Sequence, residues 1–235
     1  MVRTKRLHIK RDMTLEIDMR KHPVLDFKII IEPGRQLNLV WLGNGLKRTV
    51  SPSVECTLKK NARLHLAVAV SRSHNVSVKA SIELAGIASE AYVSGLFHGF
   101  GTDRHALDVA MRHQAKNTKG DILIKGVYED SAYGQFNGLL KIYPGANQTN
   151  SYFADNVLLL DRGMATSIPT LEILADDVRA THGSTTSRVN TDQLFYLKSR
   201  GLPHRQAIQH MIQGFFHPIL ARLPKPAEKL FPHSL

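Results

Sequence analysis

The fold is decided by residues 64–84, which read LHLAVAVSRSHNVSVKASIEL. Within this stretch, residues 64–70 and 76–84 alternate apolar with small or polar side chains and are rich in valine and isoleucine. A period of two with β-branched residues predicts β-strands, because successive side chains of a strand point to opposite faces. Each of the two segments therefore predicts one strand.

The same pattern recurs along most of the chain, from residue 15 to about residue 178. Turn residues (glycine, asparagine, aspartate and proline) stand between the apolar segments. No long helical pattern separates them, which disfavours a doubly wound α/β sheet. Further strands are predicted at residues 15–17, 27–31, 37–41, 121–127, 139–143, 157–160 and 171–174.

Three all-β architectures agree with this pattern: a sandwich, a jelly roll and a β-solenoid. From residue 64 onward the strands recur roughly every 10 to 20 residues, without short hairpin turns throughout. That spacing favours the stacked coils of a solenoid, in which each coil buries its apolar face on its neighbours.

The pattern changes to a helical one after residue 190. Thr191 is predicted to cap a helix over residues 192–200, and Gly201 suits the left-handed position just past its end. Pro203 suits the first turn of a second helix, and Pro218 should kink or end that helix. The second helix carries an apolar stripe at spacings of three and four, formed by Ile208, Met211, Ile212, Phe215, Phe216 and Ile219.

Size and composition are those of an ordinary folded chain. The 235 residues (26.3 kDa) are 43% hydrophobic and 22% charged, which predicts one domain, or one domain with a short appendage. No window approaches 18 uninterrupted apolar residues, and residues 1–21 lack the apolar core of a secretory signal. We therefore expect a cytoplasmic protein with no membrane association.

The net charge of +11 is concentrated in the first third of the chain. Residues 1–80 hold 16 basic and 6 acidic side chains, whereas the remaining 155 residues hold 15 and 14. A one-sided basic region is typical of a solvated surface or of a site for an anionic partner such as nucleic acid. No nucleic-acid recognition motif accompanies the charge, so a nucleic-acid partner is not favoured.

Motifs for catalysis or for a resident metal are absent. Ser184, His182 and Asp176 are too close in sequence for a hydrolase triad and lack a nucleophile elbow. His105 and His113, with Asp103, are candidate ligands on adjacent strands, but the spacing of the histidines matches neither a zincin helix nor a cupin-type strand. We therefore expect no enzyme, no catalytic residue and no cofactor held by the chain alone.

Several long segments resemble one known family. Residues 138–146 (GLLKIYPGA), 169–178 (PTLEILADDV), 181–183 (THG) and 193–203 (QLFYLKSRGLP) are similar to stretches of the SufB/SufD proteins. These proteins are the scaffold subunits of SUF iron–sulfur cluster assembly. The matches keep the family's order from about residue 101 to residue 216, where they end in GFF.

The resemblance implies a right-handed parallel β-helix followed by a small helical domain. We assign residues 1–190 to the β-helix (most clearly 101–190), 191–223 to a helical segment that docks an ATPase, and 224–235 to a tail. The family also implies that two such subunits pair through their β-helices and that the helices bind a SufC-type ABC ATPase. The expected partner-binding residues are Leu194, Phe195, Tyr196, Ser199, Arg200 and Gly201.

The chain departs from the family at its cysteines. Ala154 and Ala180 stand where the resemblance places thiols, and the single cysteine, Cys56, lies outside the matched region. His182 remains as one ligand for iron, or for a transient iron–sulfur cluster, at a subunit interface. The expected function is thus a non-catalytic SufB/SufD-like subunit, closer to SufD, that pairs with itself or with a SufB-type subunit. The alternative is a β-helical binding protein whose basic N-terminal third engages an anionic partner.

Overall fold

A computed structural model describes residues 3–223 and shows strands first and helices last. The tail expected at residues 224–235 lies outside the described residues. The strands are β1 (Arg3–Ile9), β2 (Met13–Asp18), β3 (Leu25–Ile31), β4 (Gln36–Asn44), β5 (Thr49–Val50), β6 (Ser53–Leu58), β7 (Arg63–Ser71), β8 (Asn75–Leu84), β9 (Glu90–Gly99), β10 (Arg104–His113), β11 (Lys119–Tyr128), β12 (Tyr133–Ile142), β13 (Thr149–Leu159), β14 (Met164–Ile173) and β15 (Val178–Arg188). The helices are α1 (Thr191–Ser199) and α2 (His204–Leu220).

The strands form two parallel sheets. Sheet A has the order β1-β3-β6-β8-β10-β12-β14, with the short β5 also paired to β8, and sheet B has the order β15-β13-β11-β9-β7-β4-β2. The chain passes alternately from one sheet to the other, so each coil lies directly on the preceding one. The result is a β-solenoid of about six turns, which confirms the predicted fold class.

The strands stack in register, so equivalent side chains of successive coils form ladders. In sheet A, Ile29 pairs with Cys56, Cys56 with Ile82, and Ile82 with Met111. All four side chains are buried and belong to one hydrophobic cluster in the solenoid interior. The cysteine therefore acts as a small apolar rung of this ladder.

Residues in the left-handed backbone region form two corners of the coils. At the corner that precedes the sheet B strands, Asn61, Ala88, Asn117 and Gln148 have φ between 55° and 59°. The N–H of each donates to a carbonyl of the following coil at 2.6–3.1 Å. At the corner that follows the sheet B strands, φ is likewise positive at Gly45, Arg72, Gly101, Asp130 and Asp161.

Helix α2 lies across the outer face of sheet B. Ile212, Phe216 and Ile219 are buried there against a second apolar cluster that contains Val40 and Leu96. The ammonium of Lys125 donates to the carbonyl oxygen of Phe215 at 2.7 Å. Five of the six residues of the predicted apolar stripe therefore belong to the docking face of the helix, and Met211 instead lines a groove between α1 and α2. No helix within residues 3–223 is long and apolar enough to span a membrane.

The helix boundaries correct one detail of the sequence analysis. The N-cap of α1 is Asn190, not Thr191, because the Asn190 side chain accepts hydrogen bonds from the backbone of Asp192 and Gln193. Gly201 has φ +92°, which confirms the left-handed position after the helix. Pro218 does not end α2 at once, since the helix continues for two more residues to Leu220.

His105 and His113 are buried in the solenoid interior and lie on the same strand, β10, not on adjacent strands. The Nε2 atom of His105 lies 2.7 Å from the carbonyl oxygen of Ser73, and the ring of His113 contacts the hydroxyls of Thr118 and Ser151 at 2.8 and 3.1 Å. Desolvation by burial lowers the pKa of each histidine from 6.5 to about 4. Both rings are therefore neutral in the folded protein near neutral pH.

These two histidines should make stability depend on pH. Because their folded pKa values lie below the unfolded value, the unfolded chain binds more protons as the pH falls from about 6.5 towards 4, and stability is lost in that window. Between pH 7 and pH 5 we expect a loss of roughly 2 kcal/mol per histidine in the free energy of unfolding, measured by urea titration. His113→Asn should remove about half of this loss, whereas the exposed control His182→Asn should retain all of it. A free energy that is constant across the window would contradict the assignment.

Candidate functional site

The C-terminal end of the solenoid exposes two strand edges. Strands β14 and β15 are the last strands of sheets A and B, and each is paired on one side only among residues 3–223. Their outer edges therefore present backbone N–H and C=O groups that no described strand satisfies. Large apolar side chains are exposed on or beside these strands, namely Met164 (53%), Ile168 (51%), Ile173 (43%) and Leu174 (55%).

The interior ladders change from apolar to polar in this last coil. His182 pairs with Phe153, and Ser184 pairs with Asp155. Paired residues of an in-register ladder share a face, and Phe153 lies in the apolar interior. His182 and Ser184 thus lie on the inward-facing side of β15, yet both are exposed, since no described coil covers them.

Asp155 links the last coil to the one before it. Its carboxylate is fully buried and accepts hydrogen bonds from the hydroxyls of Ser167 on β14 at 2.6 Å and Ser184 on β15 at 2.8 Å. One carboxylate therefore ties the final strands of both sheets to the solenoid body. The hydroxyl of Ser184 is used in this contact, so it does not form the triad with His182 and Asp176 considered above.

The two alanines at the expected thiol positions lie on opposite faces of sheet B. Ala154 pairs with Gly183 on the outer face, whereas Ala180 pairs with Ser151 on the inner face. His182 stands two residues beyond Ala180 on the same inner face, within β15 and not in a turn. Of these three positions, only His182 carries a side chain that can bind a metal.

The residues present do not form a ligand set for iron or a cluster within this chain. No group of three or more His, Cys, Asp or Glu side chains among residues 3–223 is arranged to hold a metal ion. Cys56 is buried in an interior ladder of sheet A, and desolvation raises the pKa of its thiol well above the ordinary value. The thiol is thus protonated and lies in a different coil from His182.

The residues expected to bind a partner divide into three groups. Phe195 and Tyr196 are the two aromatic residues of α1, and their exposed fractions are 73% and 56%. Leu194 is half-buried and faces a cavity between α1, α2 and the solenoid. Ser199, Arg200 and Gly201 form the helix end, where the Arg200 guanidinium lies 5.1 Å from the centre of the Tyr196 ring.

A groove runs between the outer faces of the two helices. It has a volume of about 510 Å³ and is lined by Tyr196 and Leu197 of α1 and by His210 and Met211 of α2. Tyr196 therefore belongs both to the exposed aromatic pair and to the wall of the groove. We define the α1–α2 face as Phe195, Tyr196 and this groove, whose lining also includes the polar residues Asp192, Gln193 and His210.

Most basic residues of the first third lie towards the other end of the solenoid, on strands β1–β8 and their turns. Arg72 is an exception, since it lines a cavity beside α2. Several form ion pairs with acidic neighbours, such as Lys28 with Glu55 at 2.9 Å and Arg63 with Glu90 at 3.3 Å. In the described part of this region, some basic side chains therefore form ion pairs and others do not. This region shares no side chain with the last coil or with the α1–α2 face.

These features define a class of protein: a parallel β-solenoid with an attached helical pair. The family model for "SUF system FeS cluster assembly, SufBD core domain" matches residues 27–215. The chain belongs to this SufB/SufD family.

An iron–sulfur cluster assembly SufBD family protein of Mycobacterium leprae is 30% identical over 211 residues, which cover 85% of this chain and 53% of that protein. The iron–sulfur cluster assembly protein SufD of Bacillus subtilis is 41% identical over 113 residues, or 48% of this chain and 26% of that protein. The chain thus spans about half the length of the mycobacterial relative.

Replacing Asp155 should loosen the last coil selectively. In Asp155→Ala the hydroxyls of Ser167 and Ser184 lose their acceptor, which should cost about 1–3 kcal/mol. Hydrogen exchange followed by mass spectrometry should show faster exchange in β14 and β15 and unchanged exchange in β7 and β9. Asp176→Ala, at an exposed position, is the matched control and should behave like the unmodified chain. Equal acceleration in every strand would show that Asp155 supports the whole solenoid instead.

Proposed function

We propose that this chain is a non-catalytic subunit of an iron–sulfur cluster assembly complex that binds a SufC-type ABC ATPase through its α1–α2 face. The observation that carries the proposal is the exposure of Phe195 and Tyr196 on a short helix that lies in contact with α2. Family membership supplies the context of SUF assembly.

The α1–α2 face has the composition of a binding hot spot. Aromatic residues and arginine dominate the binding energy of interfaces. Here Arg200 lies over the ring of Tyr196, Tyr196 lines the groove, and Phe195 is exposed on the same helix. Exposing two aromatic side chains to solvent has no benefit for the fold of the isolated chain, since neither belongs to an apolar cluster of the described residues. Both features support a protein partner at this face.

The double variant Phe195→Ala with Tyr196→Ala should weaken binding of the ATPase at least tenfold, because it removes the exposed aromatic surface. Affinity is measured by surface plasmon resonance with the SufC-type ATPase from the same source. Stability, measured by thermal unfolding, should change by only about 0.5 kcal/mol, since both side chains are exposed.

Ile168→Ala is the matched control for this experiment, because it removes an exposed apolar side chain from the last coil and not from the helices. It should bind the ATPase as the unmodified chain does. Binding that is equally strong in the double variant would overturn docking at the α1–α2 face. A parallel loss of stability and binding would make Phe195 and Tyr196 structural residues.

We also propose that the last coil pairs with a second β-solenoid subunit. The unpaired edges of β14 and β15 and the apolar side chains beside them support this pairing, since an exposed strand edge is a template for adding another strand. The partner is a SufB-type subunit or a second copy of this chain. The exposed inner face of β15, with His182, would then lie at the interface.

Iron or a cluster enters this proposal only as cargo at that interface. Clusters are normally held by thiolates, and His182 is a single imidazole. A self-pair would bring two imidazoles and no accessible thiolate, because Cys56 is buried. Binding of a transient cluster therefore requires a cysteine-bearing SufB-type partner. Iron content determined on the self-pair and on the mixed complex would separate the two cases.

The variant Ile168→Lys should abolish pairing, because a charge beside a strand edge opposes the addition of another strand. Light scattering coupled to size exclusion should give the monomer mass for the variant, whether alone or mixed with the SufB-type subunit. The Phe195→Ala, Tyr196→Ala variant is the control and should pair normally. If Ile168→Lys elutes with the same mass as the paired protein, the interface lies elsewhere.

The alternative role for the basic third stays a prediction. Binding of nucleic acid through these residues would show a steep, linear dependence of log affinity on log salt concentration. Retention of that binding in Ile168→Lys would separate it from pairing, because most of the basic residues lie towards the other end of the solenoid.

A further inference from the structure

A cavity of about 470 Å³ lies where the helical pair meets one corner of the solenoid. Its apolar wall includes Leu160 at the end of sheet B and Ile208 and Ile212 of α2. The volume falls within the range of roughly 300–1,000 Å³ typical of small-molecule sites. This cavity is separate from the groove of the α1–α2 face, which opens between the two helices.

The floor of the cavity is polar and built from buried groups. His98 is 2% exposed, and its Nε2 atom lies 2.6 Å from a carboxylate oxygen of Glu129. Its ring packs against Phe100 at 4.1 Å and near Phe216 at 5.8 Å between centroids. The Nδ1 atom of His98 has no hydrogen-bond partner within residues 3–223. The carboxylate of Glu129 is thus engaged by the imidazole at the floor.

The rim carries an excess of cations. Arg72, Arg188 and Arg205 line the cavity, and none of them forms an ion pair with any residue that the structure describes. Arg188 instead donates to the backbone carbonyl of Asp161 at 2.8 Å. The arginine charges at the rim therefore form no ion pair within the described chain. The carboxylates of Asp161 and Glu129 also line the cavity, so the three arginines outnumber two acids.

Arg72 stands at a left-handed corner of the solenoid. Its φ is +50°, at the corner where equivalent coils place glycine or aspartate in the same conformation. Any residue with a Cβ atom has a small conformational cost in this region. The guanidinium lies 5.4 Å from the centre of the Phe100 ring, beside the cavity. The corner thus places a cation at the rim at a conformational cost.

The start of α2 adds a second, independent reason to expect an anion. His204 and Arg205 occupy its first turn, which contains no acidic residue, and Pro203 provides no side-chain cap. Cations at a helix N-terminus oppose the helix dipole, and its first N–H groups need acceptors. An anion bound there would satisfy the N–H groups and offset the cationic side chains.

We propose that this cavity binds a small phosphate monoester with an apolar body. The phosphate lies at the start of α2, between Arg205 and the arginines of the solenoid corner. The apolar body packs against Leu160 and Ile208, away from the paired carboxylate of Glu129. Nothing in this site requires the ATPase or the second solenoid subunit, so it is tested on the chain alone.

Phenyl phosphate is the probe, and phenol is its uncharged counterpart. Isothermal titration calorimetry on the full chain should show saturable binding of phenyl phosphate and at least tenfold weaker binding of phenol. Arg205→Gln should weaken phenyl phosphate binding at least tenfold while leaving thermal unfolding unchanged, because the side chain is exposed. Arg72→Gln should weaken phenyl phosphate binding similarly. Glutamine, like arginine, is an unbranched residue that can adopt the φ of +50° at this position.

Arg35→Gln is the matched control, since it removes an exposed arginine that does not line the cavity. Unchanged binding in this variant together with loss in Arg205→Gln and Arg72→Gln supports the site. Equal weakening in all three variants would reduce the effect to overall charge and overturn the proposal. Absence of saturable binding, or equal affinity for phenol and phenyl phosphate, would also overturn it.

Discussion

The in-register stacking of parallel strands is the constraint on which the rest of this structure depends. It places each side chain directly above the equivalent side chain of the neighbouring coil, about 4.8 Å away. It also fixes which side chains face each other across the interior, from one sheet to the other. A Cβ atom added at Gly138 of β12 would lie 2.2 Å from the ring of Phe153 on β13, and one at Gly134 would lie 2.3 Å from the ring of Tyr128 on β11. Glycines of sheet A thus provide space for aromatic side chains that cross the interior from sheet B.

Much of the fold follows from the sequence because the apolar ladders leave a period-two pattern. Strands such as β8 keep that pattern over their whole length, so they are predicted directly. Strand β10 is missed, because His105 and His113 take inward positions that apolar residues usually occupy. Strand β15 is missed because its inward residues, including His182 and Ser184, are polar. The Asn190 cap is one residue away from the predicted one, since both residue types cap helices well.

Less of the candidate site than of the fold can be predicted from the sequence. The resemblance to the family identifies His182 and the helical segment, but it does not separate the half-buried Leu194 from the exposed Phe195 and Tyr196. That separation depends on how α1 lies against α2 and the solenoid. Asp155 is not found at all, because its role arises from two serines that are 12 and 29 residues away in sequence. Only the register of β13 against β15, and the return of the chain through β14, brings these three side chains together.

The stacked left-handed corners have a consequence for how the length of such a chain can vary. Asn61, Ala88 and Asn117 hold equivalent places in successive coils, each bonded to the coil above. One residue inserted within a strand would reverse the faces of every side chain between that point and the next corner. A loop inserted at a corner would leave the strands on both sides in phase. Natural insertions and engineered tags should therefore be tolerated at the corners and should destabilise the fold when they fall within a strand. The corners are thus the positions at which a solenoid of this kind can be lengthened.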